Sequence, residues 1–164
     1  MEEIESFRID HTRLKPGVFV SRKDKYGDLT LTTFDLRFKE PNKEPVMDCP
    51  AMHTIEHMCA TFLRSHAEWT SRIVYFGPMG CRTGFYMILE GDASKGSGYK
   101  SEDILLLLKE MFDWVGGFEG AIPGATKEEC GNFQEQNLDM AKWECTKYLS
   151  ILRNPKKENL NYPE

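Results

Sequence analysis

The chain has 164 residues, 40% of them hydrophobic, which is enough apolar material for the core of one domain and excludes a disordered or low-complexity protein. The formal net charge is −5 and no basic block is longer than that of NPKK, so a nucleic-acid partner is not expected. The longest apolar run, ILLLL, is far shorter than the ~20 residues of a membrane span, and the acidic start MEEIESF lacks the build of a signal peptide. The chain holds an odd number of cysteines, five, and nothing in it indicates secretion, so we expect reduced thiols in the cytoplasm.

The first predicted elements are a strand and a helix. The stretch FDLRF at residues 34–38 alternates apolar and polar side chains, which predicts a half-buried strand. Residues 48–68 have the pattern of a helix. Asp48 is the expected N-cap, and Pro50 falls in the first turn, where proline is tolerated.

A hairpin is predicted next. The β-rich stretches RIVYF at 72–76 and GFYMILEG at 84–91 flank a glycine-punctuated turn, GPMGCRTG. The polar stretch 91–100 that follows is typical of a surface loop. Two strands joined by a short turn pair in antiparallel fashion, so these segments predict an antiparallel sheet.

The second half of the chain is predicted to be mainly helical. Ser101 is the expected cap of a helix over 101–115, and a glycine-rich irregular segment follows it. A last helix is predicted over 134–152, and the polar tail 154–164 is expected to be frayed. No repeat or linker divides the chain. We therefore predict an α+β fold over residues 1–164, a single domain whose antiparallel β-sheet packs with helices.

The stretch MHTIEHMC in the first helix carries the strongest chemical signal. At about 100° per residue, His53, Glu56 and His57 share one side of the helix, and apolar side chains occupy the opposite side. Two histidines at i and i+4 can direct one ring nitrogen each at a single ion. The segregation of the two faces therefore predicts that this helix holds a metal ion.

The third ligand is open on sequence grounds. A catalytic metal site commonly uses three protein ligands and keeps one position free. Cys59 and Cys145 lie on apolar stripes typical of core cysteines, and Cys49 begins the metal helix itself. Cys81, in a tight turn, and Cys130, in the irregular segment, can both serve, and their spacing does not choose between them.

Five blocks, in order, carry a family resemblance. They are ESFRIDH, FDLRF followed by PN, HTIEH with LRSHAE, PMGCRTGFY, and IP followed by CGN. With these blocks the chain resembles the S-ribosylhomocysteine lyase (LuxS) family, which makes the precursor of autoinducer-2, over nearly its whole length. The resemblance implies a metal-dependent lyase of the methyl cycle that cleaves S-ribosylhomocysteine to homocysteine and 4,5-dihydroxy-2,3-pentanedione.

The resemblance also implies roles for individual residues. It assigns the metal, Fe²⁺ replaceable by Zn²⁺ or Co²⁺ and one per subunit, to three ligands: His53, His57 and Cys130. It assigns acid–base catalysis to Cys81 and Glu56. It further implies a homodimer with interface active sites, in which the partner subunit supplies substrate-binding residues: Ser6, His11 and Arg37.

Two expectations follow for the substrate pocket. Mixing inactive Cys81→Ala and Arg37→Ala chains is expected to restore activity in heterodimers. Arg64, two turns beyond His57 on the metal face, is a further substrate-binding candidate from helix geometry alone. The chain departs from the family where an acidic residue is expected before the PMGC block, because Tyr75 and Phe76 stand there.

The implied chemistry explains why such residues are needed. The carbonyl of S-ribosylhomocysteine must move from C1 to C3 before the C4 proton is acidic enough for the thiolate on C5 to leave. These steps require a Lewis acid and two proton shuttles. The two histidines could also belong to a metalloprotease or to a peptide deformylase. A metalloprotease of this type needs an additional acidic ligand, and the metal helix of peptide deformylase has the order H-E-x-x-H instead of H-x-x-E-H. A structural zinc domain commonly uses cysteine pairs, and the sequence has no C-x-x-C.

Overall fold

The computed structural model describes residues 7–92 and 98–163 and has a four-stranded sheet and three α-helices in the described part. The strands and helices are, in chain order, β1 (Gly17–Tyr26), β2 (Leu29–Arg37), α1 (Cys49–Ser65), β3 (Ile73–Pro78), β4 (Gly84–Asp92), α2 (Leu105–Gly116) and α3 (Leu138–Arg153). All neighbouring strands are antiparallel, in the order β1-β2-β4-β3. The predicted α+β class with an antiparallel sheet is confirmed.

The sheet has one apolar face and one polar face because side chains alternate along each strand. On the apolar face Val18, Leu36 and Phe85 align across three strands and pack with the helices in the main core. On the other face the register aligns Asp35 of β2 with Tyr86 of β4. The polar side chains of FDLRF therefore collect on the side of the sheet that faces away from the helices.

Helix α1 begins at Cys49 and ends at Ser65, three residues before the predicted end. Asp48 occupies the N-cap position as predicted, although its side chain makes no capping hydrogen bond, and Pro50 lies in the first turn. The buried side of the helix includes Ile55 and Met58, which are fully buried in the core. This packing fixes the opposite side, with its histidines, relative to the rest of the fold.

The predicted hairpin is formed by β3 and β4, and its turn is held by backbone hydrogen bonds from Met79 N to Gly84 O and from Arg82 N to Met79 O. Arg82 adopts a left-handed conformation with φ of 60°. A side chain on Gly84 would collide with the carbonyl oxygen of Leu36, so the strands approach closely only with glycine there. The turn therefore presents Cys81 in a fixed backbone geometry.

Two expectations at the ends of the later helices are wrong. Ser101 does not cap α2: it lies in a 3-10 turn that precedes the helix, and its hydroxyl donates to the carbonyl oxygen of Leu160 at 3.0 Å. The tail is packed rather than frayed up to residue 163, since Asn159 Nδ2 donates to Pro16 O at 2.8 Å. No helix in the described ranges is long and apolar enough to cross a membrane.

Candidate metal centre and reactive thiol

Three ligand atoms converge beside α1. The Nε2 atoms of His53 and His57 are 3.0 Å apart, and Sγ of Cys130 lies 3.3 Å from Nε2 of His53. All three atoms lie within 4.8 Å of one another, and all three residues are partly buried. This is the only group of three or more His, Cys, Asp or Glu with ligand spacing found among the described residues.

The backbone determines which ring nitrogens face the centre. Nδ1 of His53 donates to Glu135 O at 2.9 Å, and Nδ1 of His57 donates to Pro123 O at 2.8 Å. A carbonyl oxygen only accepts, so both rings carry their hydrogen on Nδ1 and, when neutral, present an Nε2 lone pair. Metal-binding histidines commonly have this arrangement, with the second nitrogen bound to a carbonyl. Two imidazole lone pairs and one thiolate in so small a space fit a metal ion.

The irregular segment after α2 folds back over α1 and supplies both Cys130 and the carbonyl clamps. Cys130 N donates to Thr126 O at 2.9 Å, and Asn132 N donates to the Cys130 sulfur at 3.4 Å. Gly124, at φ of 69°, lies so close to His57 that an added Cβ would be 3.2 Å from Nδ1. The glycines of this segment therefore permit a close approach to the histidine ring.

Helix α3 starts later than predicted because the residues before it contact α1. Thr54 is fully buried; its hydroxyl donates to Gln136 Oε1 at 2.7 Å and accepts from Asn137 N at 2.9 Å. Asn137 then caps α3 through its side chain, which accepts from Met140 N. The turn before α3 thus holds the Glu135 carbonyl in place over His53.

A pocket of about 430 Å³ opens beside the metal ligands. Glu56 and His53 line it from α1, and Gly80 and Arg82 line it from the hairpin turn. The carboxylate predicted as a catalyst and one of the metal ligands therefore share one cavity, large enough for a small ligand.

Cys81 faces a different set of side chains. Its sulfur lies 3.8 Å from Nη1 of Arg37 and 3.1 Å from the Thr83 hydroxyl. The same Nη1 donates to the Thr83 hydroxyl oxygen at 2.6 Å, which leaves the hydroxyl hydrogen available for the sulfur. Burial alone raises the pKa of the Cys81 thiol, but hydrogen bonds with Thr83 and the charge of Arg37 outweigh burial, so the pKa is lowered. Such a thiol is more reactive than an ordinary one at neutral pH.

Arg37 is itself held by a buried carboxylate. Its Nη2 donates to Oδ2 of Asp35 at 2.6 Å, and both side chains are almost completely buried. The Tyr162 hydroxyl donates to the same oxygen at 3.0 Å. Burial raises the pKa of Asp35, an effect that the charge of Arg37 and the two hydrogen bonds only partly offset.

The remaining predicted residues lie in several places. Ser6 lies outside the described residues. His11 is partly buried, and its Nδ1 donates to Ile9 O, so its substrate role stays a prediction. Arg64 donates to Ile73 O at 2.8 Å and to Val74 O, so it ties the end of α1 to β3, and its substrate role stays a prediction.

Tyr75 and Phe76, which stand where the family is expected to have an acidic residue, differ in their exposure to solvent. Phe76 is buried in the core, whereas Tyr75 is 47% exposed. The Tyr75 hydroxyl lies over Gly77, where a side chain would collide with it. Tyr75 is therefore the residue that presents a polar group where an acid was expected.

Comparison with known proteins decides the family. Residues 4–159 match the profile described as S-ribosylhomocysteinase (LuxS). The chain belongs to this family. It is 54% identical over 163 residues to the S-ribosylhomocysteine lyase of Borreliella burgdorferi, an alignment that covers 99% of this chain and 100% of the relative. The lyases named for Finegoldia magna and Desulfotalea psychrophila are 54% and 55% identical over 164 residues, with at least 99% of both chains covered. The resemblance predicted from the five blocks is confirmed.

Three residues that contact the Cys81 and Arg37 side chains or the Asp35 carboxylate were missed by sequence reasoning: Asp35, Thr83 and Tyr162. Asp35 lies two residues before Arg37 on β2, so strand alternation alone places both on one face and could have indicated the pair. Thr83 lies two residues after Cys81, so its closeness in sequence could likewise have indicated a contact between the two side chains. Tyr162 had none, because it reaches Asp35 across 127 residues of sequence.

Proposed function

We propose that this chain is a metal-dependent S-ribosylhomocysteine lyase that releases homocysteine and 4,5-dihydroxy-2,3-pentanedione. Support comes from membership of the S-ribosylhomocysteinase family and from the three converging ligands, His53, His57 and Cys130. The convergence of these ligands beside an open pocket is the observation that carries the proposal, because elimination of a thiolate after carbonyl migration needs an electrophilic centre.

The reaction needs three proton removals in sequence. Loss of the C2 proton and protonation of C1 move the carbonyl to C2, and loss of the C3 proton with protonation of C2 moves it to C3. Removal of the C4 proton then forms the C4–C5 double bond as the C5–S bond breaks, and the sulfur leaves with its electron pair as homocysteine thiolate. Groups that accept and return protons must therefore stand near adjacent carbons.

The two histidines and Cys130 would hold the metal, which would be Fe²⁺ by family resemblance with Zn²⁺ or Co²⁺ as substitutes. When bound, the ion supplies Lewis acidity toward the substrate oxygens and undergoes no redox change. The neutral imidazoles, fixed by Pro123 O and Glu135 O, would keep their lone pairs available to it.

Cys81 and Glu56 would carry the protons. The lowered pKa of Cys81 supports a role as a base, since a larger fraction of it is thiolate at neutral pH. Glu56 lines the same pocket as His53 and would act on atoms of a substrate held there. Arg37 adjoins the thiol and would contact the substrate hydroxyls, together with Ser6, His11 and Arg64.

A homodimer would bring together two groups of residues: the metal group, which comprises His53, His57, Cys130 and Glu56, and the thiol group, which comprises Cys81, Arg37 and Thr83. Gly80 and Arg82 line the metal pocket, whereas the side chain of Cys81 between them contacts Arg37 and Thr83. Cys81 therefore belongs with Arg37, and a partner subunit that delivers Arg37 to a pocket delivers Cys81 as well. In the proposed cytoplasmic enzyme each active site would combine the metal group of one chain with the thiol group of its partner.

The test is release of free thiol from S-ribosylhomocysteine by metal-loaded protein, followed with a thiol reagent. Wild-type protein is expected to release homocysteine, and Cys130→Ala, which lacks one ligand, is expected to lose both metal and activity. Cys145→Ala, which changes a buried cysteine in the core, is the matched control and should keep the metal. Metal-loaded protein that releases no thiol from this substrate would contradict the proposal. The second product, the autoinducer-2 precursor 4,5-dihydroxy-2,3-pentanedione, is measured in the same reaction.

A further inference from the structure

The C-terminal segment reaches the thiol group by a continuous series of contacts. The Tyr162 hydroxyl and Nη2 of Arg37 both donate to Oδ2 of Asp35, at 3.0 and 2.6 Å. The other amino group of the guanidinium, Nη1, lies at the Cys81 sulfur and the Thr83 hydroxyl. Three contacts thus separate the second-last described residue from the reactive sulfur.

We propose that Tyr162 is a positioning residue for Cys81, acting through Asp35 and Arg37. The proposal rests on the proposed catalytic role of Cys81 and goes beyond it, because it assigns a role in that site to the C-terminal segment. The Tyr162 ring covers the ion pair, excludes water from it and holds the guanidinium in the orientation that faces the sulfur.

The first argument is burial. The Asp35 and Arg37 side chains are 1% and 3% exposed, yet they lie on the face of the sheet opposite the helices. Tyr162 itself stacks on Phe19 of the neighbouring strand, with ring centroids 4.7 Å apart and planes within 11°. An aromatic ring packed in this way on the strand beside Asp35 keeps water from the pair, and a dry ion pair acts more strongly on its neighbours than a hydrated one.

The second argument is geometric. Oδ1 of Asp35 and Nε of Arg37 are buried and have no hydrogen-bond partner among the described residues. The Tyr162 hydroxyl and Nη2 of Arg37 therefore share the single oxygen Oδ2, while Tyr162 has a further hydrogen bond with Ser21 and Nη1 of Arg37 donates to Thr83. The contact from Nη2 to Oδ2 is the one hydrogen bond that holds the guanidinium to Asp35. If the Tyr162 ring restricts the movement of the Asp35 carboxylate, it therefore restricts the movement of Arg37 as well.

Other charged or titratable groups lie near Asp35, and Tyr86 also interacts electrostatically with Arg37 and Cys81, but among the described residues only Arg37 and Tyr162 donate to Oδ2 of Asp35. Tyr86 of β4 and Tyr148 of α3 both have a raised pKa, chiefly because they are buried, and Asp35 adds to the effect. The Tyr148 hydroxyl donates to Gly17 O at 2.6 Å and so is held by the backbone. His11 contributes a charge that acts on Asp35. Of these groups only Tyr162 both donates to Oδ2 and lies on a segment outside the sheet and helices.

The segment is anchored independently of Tyr162, so the residue can be changed alone. Ser101 donates to the Leu160 carbonyl, and Asn159 donates to the Pro16 carbonyl. These contacts remain when the Tyr162 side chain is shortened. The expected consequence of Tyr162→Ala is thus local: water reaches the ion pair, the field of Arg37 at the sulfur weakens, and less of Cys81 is thiolate.

The experiment measures the rate of Cys81 alkylation against pH in the metal-loaded, full-length protein, with the labelled peptide identified by mass spectrometry. Tyr162→Ala is expected to raise the midpoint by about one pH unit, a tenfold loss of thiolate below the midpoint. Tyr162→Phe keeps the ring and should raise the midpoint by less than half as much as Tyr162→Ala does. Tyr26→Ala, at an exposed position at the end of β1, is the matched control and should leave the profile unchanged.

The lyase assay separates this inference from the proposed function. In an active enzyme Tyr162→Ala should lower kcat in proportion to the lost thiolate while the metal content stays near the wild-type value. A Cys81 profile unchanged by Tyr162→Ala overturns the inference even if the wild-type protein is a lyase. A shifted profile in a protein without lyase activity overturns the proposed function and leaves the positioning role standing. If the alanine variant does not fold, Tyr162→Leu, which removes the ring and the hydroxyl but keeps some apolar bulk, should shift the midpoint in the same direction by a smaller amount.

Discussion

Mixing two inactive variants tests how the metal group and the thiol group combine. Cys130→Ala removes a metal ligand from one group, and Cys81→Ala removes the thiol from the other. In a heterodimer with interface sites, one site receives both lesions and the other receives neither. Random reassortment makes half of the dimers mixed, each with one intact site of two, so about a quarter of wild-type activity is expected in a two-fold dimer.

A second mixture supplies the matched control. Nη1 of Arg37 lies 3.8 Å from the Cys81 sulfur of its own chain, so Arg37→Ala and Cys81→Ala damage the same group. Every site in their heterodimer then carries one lesion, and no recovery above the parents is expected. The family resemblance led us to expect that this pair would complement; because the two residues are in contact within one chain, we instead expect no complementation.

The assay is release of homocysteine thiol after the two chains are unfolded together and refolded with metal. Native mass spectrometry establishes that heterodimers are present. Recovery in the Arg37 and Cys81 mixture would refute the assignment of both residues to one group. No recovery in the Cys130 and Cys81 mixture, with heterodimers present, would indicate that each chain builds its own complete site.

Three further outcomes are expected. Glu56→Gln should keep the metal while turnover falls by ~10²-fold, measured by metal analysis and thiol release, and metal loss would make Glu56 a ligand instead. Iodoacetamide should label Cys81 first in metal-loaded protein, with a pH midpoint below that of an ordinary thiol because the pKa of Cys81 is lowered. Cys130 should be labelled only after chelation of the metal. Peptide mapping identifies the labelled cysteine, and labelling of Cys130 before Cys81 would contradict the assignment. Glu144→Gln should cost about 3–5 kcal/mol in the free energy of unfolding, measured with urea, because it leaves Lys39 charged and buried at a site only 5% exposed. The double variant Lys39→Met/Glu144→Leu should recover most of that loss.

Elements with a strong period were predictable from the sequence. Helices α1, α2 and α3 and the β3–β4 hairpin lie where the pattern placed them, with ends displaced by a few residues. Strand β1 was missed because its second half is highly charged and its register shifts between Val20 and Arg22, which disrupts the alternation that marks a strand. The packed tail was missed because a polar composition does not reveal a single stacking tyrosine.

The metal helix was readable because its information is local. His53 and His57 are one turn apart, and the angle between them follows from helix geometry. The third ligand comes from a segment more than seventy residues later, and its approach depends on carbonyl clamps at Pro123 and Glu135 that no spacing rule contains. From the residues alone Cys81 and Cys130 were equivalent, and only the family resemblance separated them.

The surroundings of the two cysteines explain physically why different roles are proposed for them. The Cys130 sulfur adjoins a ring nitrogen of His53 and a backbone N–H, groups compatible with a ligated thiolate. The Cys81 sulfur faces a guanidinium and a hydroxyl, which stabilise a thiolate by charge and hydrogen bonding. A fourth protein ligand would close the position that a catalytic metal keeps open for substrate. In the proposed site, holding Cys81 against Arg37 and Thr83 would therefore serve two ends at once, because it keeps the sulfur ionised near neutral pH and keeps it off the metal.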